Sequence, residues 1–457
     1  MMKQAKGIQT IQTYFFVGIG GIGMSALARY FHTHKSLVYG YDRTASTLTK
    51  KLEQEGISIY FNEDEAIQVL ESLSRNSTFV VYTPAISKQS KLWKCISTSE
   101  YNTIKRAELL GKLTENKFCL AVAGTHGKTT TTSILTHILK ENKIGVTAFL
   151  GGILTEEQTN YISTGEEVYV VEADEFDRSF LQLYPTAAVI TSVDADHLEI
   201  YGTAEALEDS FHTFSKQVSG QVFTASGIQM EGKKIGFSNT NDVYAKNISI
   251  ENGSYVFDLV YEGETLTDTK LSLPGKHNLF NALSAVALAA YFRPNKWKEF
   301  ADALAGFKGV QRRFNYLLQE ENLSIIDDYA HHPTEIAAAH QAAKEMHPNE
   351  NLMLIFQPHL FSRTQKFADD FAQSLMLFDE ICLLEIYPAR EEPIDGIDAA
   401  FLAEKVKLKP IKIIEKSEML SSIQHSTCKV VLLLGAGDIG VEAQKIKRFF
   451  NHEMELE

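Results

Sequence analysis

The chain is 457 residues long, more than one hydrophobic core ordinarily serves, so two or three domains are expected. A formal net charge of −14 excludes nonspecific binding to nucleic acid or to an anionic membrane, both of which need surplus Lys and Arg. Hydrophobic residues at 44% and charged residues at 22% are ordinary for a globular protein, and no apolar run approaches the roughly 20 residues of a bilayer span. The four cysteines, Cys95, Cys119, Cys382 and Cys428, lie far apart and read as small buried hydrophobes in a reducing compartment. With no apolar signal core behind Met-Met-Lys-Gln-Ala-Lys, the expected location is the cytoplasm.

Three segments each alternate strand-like and helix-like stretches, the pattern of α/β folds with parallel sheets. The first opens with a strand at 14–17, a glycine-rich turn and a helix over 24–32. Strands at 37–41 and 78–83 follow, and the segment closes near Lys105-Arg106. The second starts with a strand at 118–122, a second glycine loop and a helix over 130–141, then strands at 167–171 and 187–191. Alternation through 221–273 predicts an antiparallel elaboration, and an Ala/Leu-rich helix over 278–292 ends it. The third, from Gln311-Arg312-Arg313-Phe314, shows strands at 323–326, 352–356, 380–386 and 430–434. The reading is an α/β chain of three domains (1–106, 107–310 and 311–457), each on a largely parallel sheet with flanking helices.

Gly124-Thr125-His126-Gly127-Lys128-Thr129-Thr130 lies between an apolar strand and a helix. Backbone N–H groups and the helix's positive end then converge on one point, which suits the phosphates of a nucleotide. Lys128 is placed to reach the β/γ-phosphates and the hydroxyl of Thr129 or Thr130 to hold Mg²⁺. Val122 occupies the first-glycine position of the common P-loop pattern, so the match is incomplete. Acids end the next two strands, Glu172-Ala-Asp174-Glu175 and Asp194-Ala-Asp196-His197, and two neighbouring divalent ions are plausible there.

Gly18-Ile-Gly20-Gly21-Ile-Gly23 fits G-x-G-x-x-G after a strand, with Asp42 ending the next strand where a ribose-binding acid belongs. Physically this predicts a diphosphate at a helix N-terminus; NAD, FAD or a UDP-sugar each satisfies it.

With two phosphate sites in one chain, the sequence resembles the Mur ligases. The residues that carry this are Gly18 to Ser25, Gly124 to Thr130, Glu172 to Glu175, and Asp196-His197. Downstream come His277-Asn278-Leu-Phe-Asn281, Arg312-Arg313-Phe314, Asp327-Asp328-Tyr-Ala-His331-His332-Pro-Thr334, Phe356-Gln-Pro-His359 and Ser362-Arg363-Thr364. They occur in the family's order over nearly the whole chain. The resemblance implies a UDP-sugar on the first domain at Gly18, Gly20, Gly21, Gly23, Met24, Ser25 and Asp42, and ATP on the central domain. It gives Lys128 to phosphates, Thr129 and Glu172 to one Mg²⁺, His197 to a second, Asn278 and Asn281 to the base, Arg313 to the γ-phosphate and Asp328 to the ribose. His331, His359 and Arg363 fall at the amino-acid end, with His331 also a candidate for the amine proton.

The branch that adds L-alanine to UDP-N-acetylmuramate for peptidoglycan synthesis fits best. Sister ligases use a carbamylated lysine beyond the Asp-His motif, and residues 202–215 contain no lysine. The sequence departs from the family at Phe176, at Glu199 and at Leu360, where many relatives have arginine. A peptide-recycling ligase, a folylpolyglutamate-type ligase, a nicotinamide-dependent oxidoreductase and a non-catalytic nucleotide binder are the competing readings. A monomer or a homodimer is expected.

Overall fold

The computed structural model describes residues 13–454 except 85, 195–197, 252, 390 and 408. Two compact units emerge: one runs to Lys246 and adds Asp258–Thr267 and Asn281–Leu304, and the other comprises Asn247–Phe257, Asp268–Phe280 and everything from Ala305. Among the described residues no helix is long and apolar enough to cross a membrane.

Three sheets organise the chain. The first is parallel throughout, in the order Ser58–Tyr60, Leu37–Tyr41, Thr13–Val17, Thr78–Tyr82, Asn102–Lys105. Its middle strand, Thr-Tyr-Phe-Phe-Val, is buried along its length, as a parallel strand covered on both faces should be. Tyr14 stacks on Phe31 of the following helix, Ile22–Thr33, with ring centroids 3.7 Å apart. That helix begins before the predicted Met24 and takes in Gly23 of the glycine turn.

The central sheet has ten strands. Cys119–Ala123 lies in its middle, between Ala187–Ile190 and Val168–Ala173, parallel to both. The predicted antiparallel elaboration is corrected in part: Val222–Ala225, Lys233–Gly236 and Val243–Glu251 pair parallel. Val222–Ala225 and Lys233–Gly236 have only four residues each, so a short connection can carry the chain back to a parallel start, at about 3.3 Å per residue. Alternating hydrophobicity reports which face is buried but not strand direction.

The third sheet runs Asn315–Gln319, Ser324–Asp328, Val430–Leu434, Leu352–Phe356, Glu380–Leu383, Ile411–Ile413. Only its first pairing is antiparallel, and that edge strand was not foreseen. All three sheets place a glycine turn at the carboxyl end of an interior strand: Gly18 after Val17, Gly124 after Ala123, Gly435 after Leu434. Open α/β sheets bind ligands at such ends.

Candidate active site

In the first unit the phosphate loop is shaped by two glycines in the left-handed half of backbone space, Gly124 at φ 131° and Gly127 at φ 82°. A Cβ on Gly127 would meet Asn281 Oδ1 at 2.5 Å, so Asn281 lies directly against the loop. The helix Lys128–Glu141 starts without a side-chain cap, and its first N–H groups have no acceptor within the helix.

The neighbouring strand end holds the rest of the loop. Ser192 Oγ accepts from His126 N at 2.8 Å and lies 2.9 Å from Thr125 Oγ1. Thr191 Oγ1 donates to His126 O at 2.5 Å, and Thr125 N donates to Ser192 O at 3.1 Å. His126 Nε2 stands 3.4 Å from Asp194 Oδ2. Thr125 and His126 therefore brace the loop with both backbone and side chain. Neither Thr191 nor Ser192 stood out in the sequence, because a hydroxyl at a strand end carries no pattern.

Lys128 sits among acids. Its Nζ donates to Glu175 Oε1 and Oε2 at 2.9 and 2.8 Å and to Gly124 O at 2.6 Å. The Glu175 carboxylate is fully buried, and Lys128 is 15% exposed. Burial, which would lower the lysine pKa, is outweighed by Glu175 and Asp174, so the ammonium is held above its ordinary range.

Glu172 accepts from Gly151 N at 2.7 Å through one oxygen and from Thr129 Oγ1 at 3.3 Å through the other. Burial raises its pKa against the pull of Lys128. A carboxylate and a hydroxyl side by side at a phosphate loop fit a Mg²⁺ ion, which takes few protein ligands and completes its shell with phosphate and water. His197, expected at a second ion, lies outside the described residues, as does Asp196 before it. Among the described residues no group of three or more His, Cys, Asp or Glu gathers around a metal position.

At the first glycine turn, Gly20 N donates to Asp42 Oδ2 at 2.8 Å and Thr44 N to Oδ1 at 3.2 Å. Asp42 thus buttresses the turn itself. Met24 is packed in the core, and the Ser25 hydroxyl is enclosed, donating to Ile22 O and accepting from Asn160. Arg106 lies against Gly23, where a Cβ would meet its NH1 at 2.8 Å, and its NH2 stands 3.8 Å from Asp174 Oδ2. In the sequence this arginine marked only the end of the first segment.

In the second unit, Asn278 Nδ2 donates to Pro274 O at 2.6 Å, fixing the start of its helix. Asp328 accepts from Phe314 N at 2.6 Å and Ala330 N at 2.7 Å, and burial raises its pKa. Arg312 and Arg313 both lie over the Tyr329 ring, at 5.1 and 5.2 Å. Arg312 also donates to Gly435 O and Gly437 O, so the glycine turn after Leu434 is anchored on this arginine. Its other neighbour is Asp327, 3.6 Å away and 1% exposed, whose carboxyl burial pushes up to about 7.

The histidines of the expected amino-acid end come together. His331 and His359 ring centroids are 5.7 Å apart, and Tyr387 stacks on His359 at 5.8 Å. His331 Nδ1 lies 3.0 Å from Tyr329 O and 3.2 Å from Glu335 Oε2, a setting that puts the ring proton on Nδ1 and the basic lone pair on Nε2. Burial, then His331 and Arg363, lowers His359 to about 3, so it stays neutral at working pH. Leu360 adopts φ 72°, ψ 132°, a conformation costly for a side chain of its size, between His359 and the helix Phe361–Lys366 that carries buried Arg363.

Comparison with known proteins now adds to this geometry. Residues 13–118 match the Mur ligase family, catalytic domain; residues 122–289 match the Mur ligase middle domain; residues 312–438 match the Mur ligase, glutamate ligase domain. The chain is 50% identical over 452 residues to a UDP-N-acetylmuramate–L-alanine ligase of Christiangramia forsetii, covering 98% of this chain and all of the relative. It is likewise 50% identical over 443 residues to that of Flavobacterium psychrophilum, covering 96% and 98%. The crystal structure of a UDP-N-acetylmuramate-alanine ligase from Thermotoga maritima superposes with a TM-score of 0.82 at 29% identity, covering 96% of this chain and 99% of that one.

Proposed function

The chain belongs to the Mur ligase family, and from that premise we propose that it joins L-alanine to UDP-N-acetylmuramate at the expense of ATP, a step of peptidoglycan precursor synthesis in the cytoplasm. The observation that carries the reading is Lys128, a half-buried cation at a phosphate loop, beside the Thr129–Glu172 pair. The names borne by relatives at 50% identity support the choice of substrates.

A carboxylate is a poor electrophile. Its oxygen attacks the γ-phosphorus of ATP, ADP leaves, and an acyl phosphate remains. Positioning and charge supply most of the catalysis, and Lys128 and Arg313 offset the charge on the moving phosphoryl group. Thr129 and Glu172 would hold one Mg²⁺ and His197 a second, and these ions would neutralise phosphate charge. Asn278, Asn281 and Asp328 hold the nucleoside; residues 1–106 hold the UDP-sugar, 107–310 ATP and 311–457 the amino acid. The neutral amine of L-alanine, oriented by His359 and Arg363, attacks the acyl carbon and expels phosphate, while His331 Nε2 takes the amine proton.

The test is phosphate release with UDP-N-acetylmuramate, ATP and Mg²⁺, offering each amino acid and a tripeptide in turn. Release with L-alanine is expected. Release with the tripeptide alone contradicts the assignment and favours a peptide-recycling ligase. In the same assay His331→Ala should lose the acidic limb of the pH–rate profile, whereas an unchanged profile restricts His331 to orienting the amino acid.

A further inference from the structure

Between the strands Val146–Phe149 and Tyr161–Ser163 of the central sheet lies a loop, 150–160, that no motif marks. It closes on itself, with Leu150 N donating to Asn160 O at 3.0 Å and Leu154 N to Thr159 O at 2.9 Å. Each end grips a different part of the unit. Gly151 N donates to Glu172 Oε1 at 2.7 Å, and a Cβ there would fall 2.3 Å from the carboxylate, so a larger residue would push that carboxylate aside.

At the other end Asn160, 0% exposed, reaches 138 positions back to the helix behind the first glycine turn. Its Nδ2 donates to Ile22 O at 2.5 Å and Ser25 Oγ at 2.9 Å, and its Oδ1 accepts from Arg29. Arg29 is itself held by both oxygens of Glu55, each at 2.8 Å. The amide thus spends both N–H groups and its carbonyl on the first turn of that helix and on the arginine behind it. That turn presents the backbone donors on which a diphosphate would rest.

We infer that Asn160 is a positioning residue for the UDP-substrate: from the central sheet it sets the first turn of the helix Ile22–Thr33, and through 151–160 it links that site to Glu172. Because Asn160 O and Gly151 N are fixed within one closed loop, a shift of the helix start on ligand binding is transmitted to the Glu172 carboxylate, and the reverse holds by reciprocity. The inference rests on the reading that the first glycine turn takes the UDP-sugar. Asn160→Asp preserves shape but cannot donate, and Ser25→Ala removes one of the two bonds in a milder way.

The experiment measures binding of UDP-N-acetylmuramate, and of Mg-ADP with and without it, to the full-length wild type and to the Asn160→Ala, Asn160→Asp and Ser25→Ala variants by calorimetry, alongside steady-state kinetics. Loss of the Asn160 hydrogen bonds should raise KM for the UDP-substrate about tenfold and leave kcat at saturation within about threefold. The gain in Mg-ADP affinity brought by the UDP-substrate should vanish. Ser25→Ala should show the same split at smaller amplitude, which keeps the test standing if Asn160→Ala folds poorly. Unchanged UDP-substrate KM and unchanged coupling in folded variants overturn the positioning role. Failure of the wild type to bind UDP-N-acetylmuramate overturns instead the reading of the glycine turn on which it rests.

Discussion

Lys128→Met is expected to lower kcat by about a thousandfold, since one charged donor aimed at the transferring group is typically worth 10²–10³. The same substitution should also destabilise the protein, for a reason separate from catalysis. It strands the fully buried Glu175 carboxylate, whose ammonium partner lies at 2.8 and 2.9 Å. Breaking a buried pair from one side costs about 3–5 kcal/mol, because the remaining charge is left uncompensated. Adding Glu175→Gln should therefore restore most of the lost melting temperature while turnover stays at the level of Lys128→Met. Thermal unfolding and steady-state kinetics on the two variants separate these effects. Recovery of turnover in the double variant would contradict a direct role for the lysine on phosphate.

The second large effect concerns Glu172. Glu172→Gln keeps an oxygen to accept from Gly151 N and so preserves the loop, but it removes the charge that a divalent cation needs. At ordinary Mg²⁺ concentration turnover should fall about a hundredfold, with partial recovery as Mg²⁺ is raised. Chelation of Mg²⁺ should abolish wild-type activity. A Mg²⁺ dependence of Glu172→Gln that overlays that of the wild type would remove Glu172 from the metal site. The Thr129 hydroxyl, 3.3 Å from the same carboxylate, makes this pairing the most specific metal feature among the described residues.

Much of this was legible before any coordinates. Strand, glycine loop and helix around Lys128 follow one another within about twenty residues, and local order of that kind shows in hydrophobic period and turn chemistry. What escaped was nonlocal. Lys128 and Glu175 are 47 positions apart, and Asn160 and Ile22 are 138 apart. Neither partner carries a periodicity that would announce the other. Tyr387 was missed for the same reason, since its stacking on His359 depends on a bridge between segments with no shared motif.

The parallel pairing of 222–225, 233–236 and 243–251 was misjudged because direction is set by where short connections run, which alternation of side chains does not encode. Asp42 illustrates a subtler gap. Its position matched a ribose-binding acid, yet its carboxylate accepts from Gly20 N and Thr44 N and so shapes the turn. Spacing suggests a ligand contact; the hydrogen bonds add the part the carboxylate plays in the turn itself.

The central claim is that the loop from Gly124 to Thr130 activates a carboxylate by phosphorylation, and isotope transfer tests it most directly. UDP-N-acetylmuramate carrying ¹⁸O in both oxygens of its lactyl carboxylate would be turned over with ATP and L-alanine, and the released phosphate analysed by mass. Attack of a carboxylate oxygen on the γ-phosphorus, followed by amine attack at carbon, predicts one ¹⁸O in each phosphate and one retained in the amide carbonyl. Phosphate free of ¹⁸O, with ADP formed at the same rate, would contradict the acyl-phosphate route.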